Sequence, residues 1–335
     1  MGGETLETGL FGRFPTKSPS SLPPFQENFN DGRSDAFVTK WDPDVTGNSS
    51  LVYSTLLGGS EGESVNAIAV DANERAYVCG YTESTDFPRL NAIENSFGGG
   101  TEDAFITKFN ADGTAIFYST FFGGSGIDEA HGIAIDTTSG DNRPVVCGFT
   151  TSANINTQLA ADPTLGGPED AFICKLNDTG NQYLYSTYLG GPGNDAAQAM
   201  TIDSVGNTYL TGFSNNNFPL VNPIVIPGQS QTNGLFLAIY SPAGAVLRST
   251  CLVVGSATGI AVDPAGDVYI AATTSANNEP VTAGAFQTNF AGAPNDGIAL
   301  KLDMTNDDTL GIFKTGPRQF LRDVALVLAV DSSAA

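Results

Sequence analysis

The sequence predicts an all-β fold in which one antiparallel sheet unit is repeated along the chain. A six-residue pattern occurs as DAFVTK (35–40), DAFITK (103–108) and DAFICK (170–175), with weaker copies GLFLAI (234–239) and DGIALK (296–301). Successive copies lie 62 to 68 residues apart. A fixed period of this size indicates a repeat architecture, because each unit must bury its apolar faces against its neighbours.

The composition of the chain favours short strands over long helices. Hydrophobic residues make up 41% of the 335 residues, which is enough for a core, whereas charged residues make up only 15%. The 39 glycines supply the positive φ angles that tight turns between strands require. This composition is typical of many short strands joined by turns.

Each repeat contains four apolar, alternating runs, and each run ends at turn residues. In one full unit these runs are HGIAID (131–136), PVVCGFT (144–150), DAFICKL (170–176) and YLYSTYLGG (183–191). Short Asp-led turns containing Gly or Asn join the first strand to the second and the third to the fourth, as in DSVGNT and NADGTA. The connection from the second strand to the third is longer, about 20 residues in this reading of the strands.

Four antiparallel strands repeated five times predict a single domain, residues 1–335, that forms a five-bladed β-propeller. Four blades are continuous: 60–124, 125–191, 192–254 and 255–316. The fifth is a composite of 1–59 and 320–335, in which LETGLFGRFP (6–15) is the second strand and DVALVLAVD (323–331) the first. The C-terminal strand would then close the ring by pairing with the N-terminal strand, which removes exposed sheet edges.

Several segments resemble the SBBP family of bacterial β-propeller repeats. These are AYVCGYTESTDFP (76–88), GGSGIDEAHGIAID (123–136), and AFQTNFAG followed by DGIALKLD (285–303). The resemblance covers nearly the whole chain, and the unit 192–254 departs from it most. It implies β-propellers of secreted or surface-attached proteins, but no defined reaction, since one fold serves many functions.

The charge of the chain excludes two classes of partner. It carries 14 Lys and Arg against 36 Asp and Glu, a net charge of −22. Nucleic acid and anionic lipid both require a basic surface, so neither is an expected partner. No window approaches the roughly 18 apolar residues of a membrane span, so no membrane insertion is expected. The first fifteen residues lack the basic and apolar regions of a signal peptide, whereas the resemblance implies an extracellular or cell-surface location.

Carboxylates recur where the first strand of each repeat begins. They stand eight residues before the Asp that ends that strand: Glu63, Asp128, Asp195 and Asp323. Because first strands line the channel of a propeller, these side chains are expected at its mouth. Three interpretations remain open: a Ca²⁺ site, glycan chemistry by paired acids, and structural capping of Gly-rich turns.

Polar residues recur one step further along the same strands. They are the candidate ligand-binding residues Asn66, His131, Gln198 and Thr258. His131 is the only histidine, which excludes a zinc site built from several histidines. The Gly-x-Ser-x-Gly match GGSEG (58–62) precedes a predicted strand and not a helix, so the elbow of a serine-hydrolase triad is not indicated. A general acid or base and a hydrogen-bonded structural side chain remain as alternatives for His131.

The four cysteines lack the spacing of a metal site. Cys79 and Cys147 occupy the same second-strand position, where other repeats carry Thr211 and Ala271. This pattern favours free thiols packed in a tight slot. A disulfide between Cys147 and Cys174 is the alternative.

The sequence therefore favours a non-catalytic recognition or scaffold propeller that binds a glycan or a protein across its long-loop face. One alternative is a glycan-active enzyme, a hydrolase or lyase, that uses the acids named above with His131 beside them. A second alternative is a structural subunit of a surface assembly. No cofactor is expected, apart from Ca²⁺ under the cation interpretation.

Overall fold

The computed structural model describes residues 2–5, 16–19, 22–30, 32–226, 228–276, 295–304 and 324–327. Contacts divide the chain into two compact units, one of residues 1–164 with 173–187, the other of residues 165–172 with 188–335. Apart from a 3₁₀ helix at Gly47–Ser50, the elements of the described residues are strands. No helix in this part of the chain has the length and apolar character needed to cross a membrane.

Five antiparallel sheets follow one another along the chain, in agreement with the predicted all-β class. The first has three strands, β1 (Gly2–Thr5), β2 (Asp35–Trp41) and β3 (Leu51–Leu57). The second has four strands, β4 (Glu63–Val70), β5 (Ala76–Thr82), β6 (Asp103–Phe109) and β7 (Ile116–Phe122). In both sheets, neighbours in sequence are neighbours in the sheet.

The other three sheets repeat the four-stranded order. The third contains β8 (Asp128–Asp136), β9 (Arg143–Thr150), β10 (Asp170–Leu176) and β11 (Tyr183–Leu189). The fourth contains β12 (Asp195–Ile202), β13 (Thr208–Ser214), β14 (Gly234–Tyr240) and β15 (Val246–Val253). The fifth contains β16 (Ser256–Val262), β17 (Val268–Thr274), β18 (Asp296–Leu302) and β19 (Val324–Val327). The prediction of repeated four-stranded antiparallel sheets is confirmed, whereas the number of blades in a propeller stays a prediction.

The C-terminal strand pairs differently from the prediction. Strand β19 lies antiparallel to β18, with Val324 opposite Leu302. The expected pairing of this segment with the N-terminal strand is not confirmed, and the described partner of 324–327 is β18. A neighbouring strand in sequence closes a shorter loop, which costs less entropy than joining the two ends of the chain. The run 309–316, predicted as the fourth strand of this sheet, lies outside the described residues.

The second-strand position of the first sheet is also occupied by a different segment. Strand β1 pairs with β2 in register, with Gly2 opposite Val38 and Thr5 opposite Asp35. The prediction placed 6–15 here, and nearly all of that run lies outside the described residues. The described partner of β2 is thus residues 2–5. Such a replacement is possible because any extended segment can hydrogen-bond with the backbone groups at a sheet edge.

The apolar core lies between successive sheets within each unit. In the first unit, Val38 of the first sheet packs in one cluster with Val78 and Phe105 of the second. In the second unit, Leu237 of the fourth sheet clusters with Ile270 and Leu300 of the fifth. These side chains are buried, so sheet-on-sheet packing supplies the apolar burial that a single sheet could not provide.

The long connection between the second and third strands folds back onto the fourth strand. A Ser in that strand forms a backbone bridge with the connection in four sheets: Ser54 with Lys17, Ser119 with Leu90, Ser186 with Gln158 and Ser249 with Val221. The Thr that follows each Ser accepts a hydrogen bond from a loop N–H, as Thr250 Oγ1 does from Ile224 N at 3.1 Å. The connection therefore covers the outer edge of the sheet, a position otherwise open to aggregation.

Phenylalanines of these connections anchor them in the core. Phe87 is fully buried, with its ring 4.5 Å from the Phe105 ring, and Phe218 stands at the same distance from Phe236. Burial of a Phe side chain contributes roughly 1.5–3 kcal/mol. The Phe-Pro pairs thus hold the loops on their own sheets.

Candidate functional site

The carboxylates predicted at the channel mouth are fully buried. Glu63, Asp128 and Asp195 are the first residues of β4, β8 and β12, and each has 0% exposure. Asp323 lies outside the described residues. Because these three side chains have no exposed surface, they are not positioned to contact a ligand from solvent.

Each buried acid caps the Gly-Gly turn that precedes its strand. Glu63 Oε2 accepts a hydrogen bond from Gly59 N at 3.1 Å. Asp128 Oδ2 does the same with Gly124 N at 2.8 Å, and Asp195 Oδ2 with Gly191 N at 2.7 Å. Side-chain hydroxyls from the end of the second strand also donate to the first two acids, as Thr82 Oγ1 does to Glu63 Oε1 at 2.7 Å. This geometry favours the structural interpretation of the repeated acids.

A second buried acid faces each of these first-strand acids across a glycine. It is the Asp that begins the six-residue pattern DAFVTK, DAFITK or DAFICK, called the DAF pattern below. A Cβ built on Gly123 would lie 2.8 Å from Asp128 Oδ2 and 2.9 Å from Asp103 Oδ1. Gly58 stands in the same way between Glu63 and Asp35, and Gly190 between Asp195 and Asp170. The glycine is required because any side chain at its position would collide with both carboxyl groups.

Burial raises the pKa of these acids. The pKa of Asp35 rises to about 7, because of burial and the nearby charge of Glu63. That of Asp103 also rises to about 7, through burial and the charges of Asp128 and Glu94, although a hydrogen bond from Gly98 N opposes the change. The pKa values of Glu63, Asp128 and Asp195 are raised as well, again chiefly by burial. A carboxyl group held out of water favours its neutral form.

The predicted polar positions are the β-bulge residues of the first strands. The register skips between Val65 and Ala67, and likewise between Ala130 and Gly132, so Asn66 and His131 have no partner residue in the second strand. Gln198 and Thr258 occupy the same place in β12 and β16. A bulge re-aims a side chain away from the regular alternation. Asn66 and Thr258 are exposed, while His131 and Gln198 are half-buried.

The bulges create a tight approach between neighbouring strands. A Cβ on Gly148 would lie 1.8 Å from the carbonyl oxygen of Glu129, so this second-strand position in β9 cannot carry a larger residue without movement of the backbone. The bulge side chain also links successive sheets, because Asn66 Nδ2 donates to the carbonyl oxygen of Ala130 at 3.1 Å.

Two acidic residues near His131, Glu129 and Glu102, were not predicted from the sequence as site residues. His131 Nε2 lies 3.2 Å from Glu129 Oε2, and the His131 ring contacts the Phe149 ring edge to face at 5.4 Å. Burial and the adjacent Glu129 carboxyl raise the pKa of Glu102 to about 7. Glu102, Glu129 and His131 are called the His131 cluster below. A signal was present in the sequence: Glu129 stands where other repeats carry Ser64, Ala196 and Ser256.

An ion pair lies close to the His131 cluster. Arg33 and Glu83 form it, and the guanidinium of Arg33 also affects Glu102 by lowering its pKa in part. The side chain of Arg33 is 72% exposed. An ion pair of this exposure contributes little to stability.

The lysines of the DAF pattern serve the fold. Lys175 Nζ lies 2.5 Å from Asp136 Oδ2, and both side chains are 2% exposed. Burial opposes ionisation of Asp136, but hydrogen bonds from Lys175 and Thr138 outweigh it and lower its pKa. Asp136 also caps its own turn through Thr138 N, as its position at the end of a first strand predicts.

The cysteines are packed as free thiols. Cys79, Cys147, Cys174 and Cys251 are all buried and unpaired with one another as disulfides. Burial raises the pKa of each thiol, so the unreactive protonated form is favoured. The described residues contain no group of three or more His, Cys, Asp and Glu side chains suited to hold a metal ion.

Comparison with known proteins identifies the class of repeat. The SBBP β-propeller repeat family matches residues 52–88 and 184–219, so the chain carries SBBP β-propeller repeats at two places. The resemblance found in the sequence is thereby confirmed. Both matched segments run from a fourth strand, through the next first and second strands, to the Phe-Pro pair.

Two individual proteins are similar to the chain. The regulatory protein FlaEY of Caulobacter vibrioides is 24% identical over 300 residues, which cover 84% of this chain. The chain spans 30% of that protein's length. A crystal structure of a protein of unknown function from Bacteroides caccae matches 75% of this chain and 63% of its own, with 10% identity and a TM-score of 0.35.

Proposed function

We propose that the chain is a non-catalytic recognition or scaffold propeller with five blades that acts outside the cell or at its surface. A glycan or protein partner binds through the His131 cluster and the neighbouring bulge residue Asn66. One observation carries this proposal: the repeated acids suited to catalysis are buried in turns, whereas the polar group that departs from the repeat is half-buried at a bulge. Residues that recur in every repeat serve the shared fold, so a departure at one place points to a particular task.

Two findings from the comparisons support the proposal. SBBP repeats are typical of bacterial surface or secreted proteins, which favours an extracellular or surface location. The similar Caulobacter protein is named as a regulatory protein, a name that fits recognition better than turnover.

The proposal is tested with variants that borrow residues from other repeats. Glu129→Ala introduces the residue found at Ala196, and His131→Gln that found at Gln198, so both should leave the fold intact. Binding to a panel of neutral and acidic polysaccharides is measured by calorimetry. We expect both variants to weaken binding at least about tenfold, or about 1.4 kcal/mol. Asp141→Asn, which removes an exposed charge from a turn, is the control and should bind as the wild type does.

The same incubations separate the alternatives. New oligosaccharides in the supernatant, lost in His131→Gln, would establish the glycan-active enzyme, and their end groups would distinguish a hydrolase from a lyase. Self-association without glycan binding would favour the structural subunit of a surface assembly. Equal binding by all variants would remove the His131 cluster from the recognition site.

Calcium remains a proposal for the acidic first-strand positions. A bound cation raises the melting temperature through its preference for the folded state. A melting temperature unchanged by Ca²⁺ and by a chelator would contradict a Ca²⁺ site at Glu63, Asp128 and Asp195.

A further inference from the structure

Three carboxyl groups converge where the second and third sheets meet. Asp103 begins β6, Asp128 begins β8, and Glu94 lies on the connection between β5 and β6. Asp103 and Asp128 are fully buried, and Glu94 is partly buried. These three residues are called the Asp103 group. Glu94 Oε2 accepts a hydrogen bond from Gly123 N at 3.3 Å, and Glu94 Oε1 accepts one from the Tyr183 hydroxyl at 2.9 Å.

The Asp103 group is short of hydrogen-bond donors. Asp103 Oδ2 accepts a hydrogen bond from Gly98 N, but the buried Oδ1 has no partner. That same oxygen faces the glycine contacted by Asp128 Oδ2. The titratable groups that influence Glu94 and Asp103 are each other, Asp128 and the Tyr183 hydroxyl, and the Cys174 thiol lies beside Glu94. No cation appears among these described neighbours, and an unpaired charge in a buried site is strongly disfavoured.

The first junction of the same chain has a neutral residue in the place of Glu94. Its members are Gln26, Asp35 and Glu63, called the Asp35 group. Gln26 N donates to Thr55 Oγ1 just as Glu94 N donates to Thr120 Oγ1, both at 2.9 Å. Gln26 Oε1 accepts a hydrogen bond from Gly58 N at 3.0 Å, in the place where Glu94 accepts one from Gly123 N.

The amide of Gln26 supplies the donor that the second junction lacks. Gln26 Nε2 donates to Asp35 Oδ2 at 2.7 Å, whereas Asp35 Oδ1, like Asp103 Oδ1, has no partner. A protonated Glu94 would match Gln26 in shape and charge and would carry one O–H donor. An ionised Glu94 would place a third negative charge beside two buried acids.

We propose that Glu94 holds a proton in the folded protein at mildly acidic pH, and that its ionisation as the pH rises through neutrality weakens the junction between the second and third sheets. The Asp103 group thus has a titrating carboxyl at the position where the Asp35 group has the neutral amide of Gln26. The two junctions share the same hydrogen-bonding arrangement, but only the second has a carboxyl group, that of Glu94, at this position.

The electrostatics of the site support this reading. Burial, together with the charge of Asp128, raises the pKa of Glu94 to about 7, against the opposing hydrogen bonds from Tyr183 and Gly123. A carboxyl whose pKa is higher in the folded chain binds its proton more tightly there. The stability it contributes is present below its ordinary pKa and is lost as the pH rises through about 7.

The test follows the unfolding of the full chain by urea between pH 5 and pH 8. The slope of the unfolding free energy against pH counts the protons released on unfolding. We expect Glu94→Gln to release about one proton fewer near pH 6 and to be more stable than the wild type at pH 8. Its infrared band for protonated carboxyl groups should also be weaker at pH 6. Asp44→Asn, a change at an exposed acid, is the control and should leave the proton count unchanged.

The reciprocal variant keeps the proposal open to refutation if Glu94→Gln fails to fold. Gln26→Glu should add about one proton to the count, because it recreates the three-carboxyl arrangement in the first junction. An unchanged count in either folded variant would overturn the proposal. So would a wild-type melting temperature that rises with Ca²⁺ and loses this rise in Glu94→Gln, since the group would then hold a cation instead of a proton.

Discussion

At the scale of single residues, burial separates acids with the same sequence signature into different chemical roles. Asp136 and Asp128 both recur at fixed positions in the repeat. Asp136 lies against Lys175, and its pKa is lowered. Asp128 lies against hydroxyls and backbone N–H groups, and burial raises its pKa. The partner that the fold places beside each acid decides which protonation state is favoured.

Leu159 is a residue that the fold holds in an unfavourable conformation. Its φ is 45°, and its side chain is 72% exposed. The equivalent residues of two other connections are Asn91 and Asn222, whose φ values are 49° and 46°. Their side-chain amides donate to the carbonyl oxygens of Phe117 and Leu247 at 3.0 Å. Asparagine tolerates the left-handed region, which costs other residues roughly 1–2 kcal/mol.

We therefore expect Leu159→Asn to stabilise the protein by about 1 kcal/mol, measured by urea unfolding at constant pH. The matched control, Asn91→Leu, should destabilise it by a similar amount, since it loses both the tolerant residue and its hydrogen bond. A Leu159→Asn variant less stable than the wild type would show that the Leu159 side chain contributes contacts that outweigh its backbone strain.

At the scale of elements, the long connections protect the sheet edges on which they fold. The Ser-Thr pair of the fourth strand occurs in five-residue runs such as YSTLL and YSTFF, and the backbone bridge and the Thr hydroxyl both hold the loop. In the fourth sheet, Thr250 and Ile224 are buried at this contact. The connection 215–233 is thus held on the fourth sheet by the Thr250 hydroxyl as well as by the buried Phe218 ring.

Removing that hydroxyl should loosen one connection selectively. Thr250→Val preserves shape but leaves the buried Ile224 N–H without its acceptor, at a cost of about 1–3 kcal/mol. Hydrogen exchange should accelerate in residues 215–233 more than in β13 and β14. Thr211→Val is the control, because Thr211 donates within the sheet, to the carbonyl oxygen of Phe236. Equal exchange in the two variants would contradict the assigned role of Thr250.

At the scale of the whole molecule, the pairing of the C-terminal strand decides which sheet depends on the end of the chain. Deleting 320–335 removes β19, which pairs with β18. We expect faster hydrogen exchange in β18 and more aggregation, because the backbone groups of β18 lose their partner. Strands β2 and β3 should keep their exchange rates. Deleting only 332–335 is the control, since it leaves β19 intact.

The opposite result would restore the original idea of ring closure. If the longer deletion accelerated exchange in β2 and left β18 unchanged, the C-terminal segment would pair with the first sheet.

Much of the fold could be predicted from the sequence, but less of the candidate site. Strands such as β6 and β10 were visible because alternation and turn residues are local signals. The bulge at His131 was not visible, because a bulge appears only when two strands are paired. Glu94 carried no sequence signal, since its importance comes from Asp103, Asp128 and Tyr183, which are brought to it by folding.

The sequence by itself determined the repeat, the order of strands in the second, third and fourth sheets and the net negative charge, because these follow from local patterning and composition. Only the tertiary structure decided that Glu63, Asp128 and Asp195 are buried, that Gln26 and Glu94 occupy equivalent places, and that β19 pairs with β18. The physical reason is that burial, protonation and edge pairing depend on which distant segments meet. Desolvation and electrostatic repulsion act between those segments only after the chain has folded.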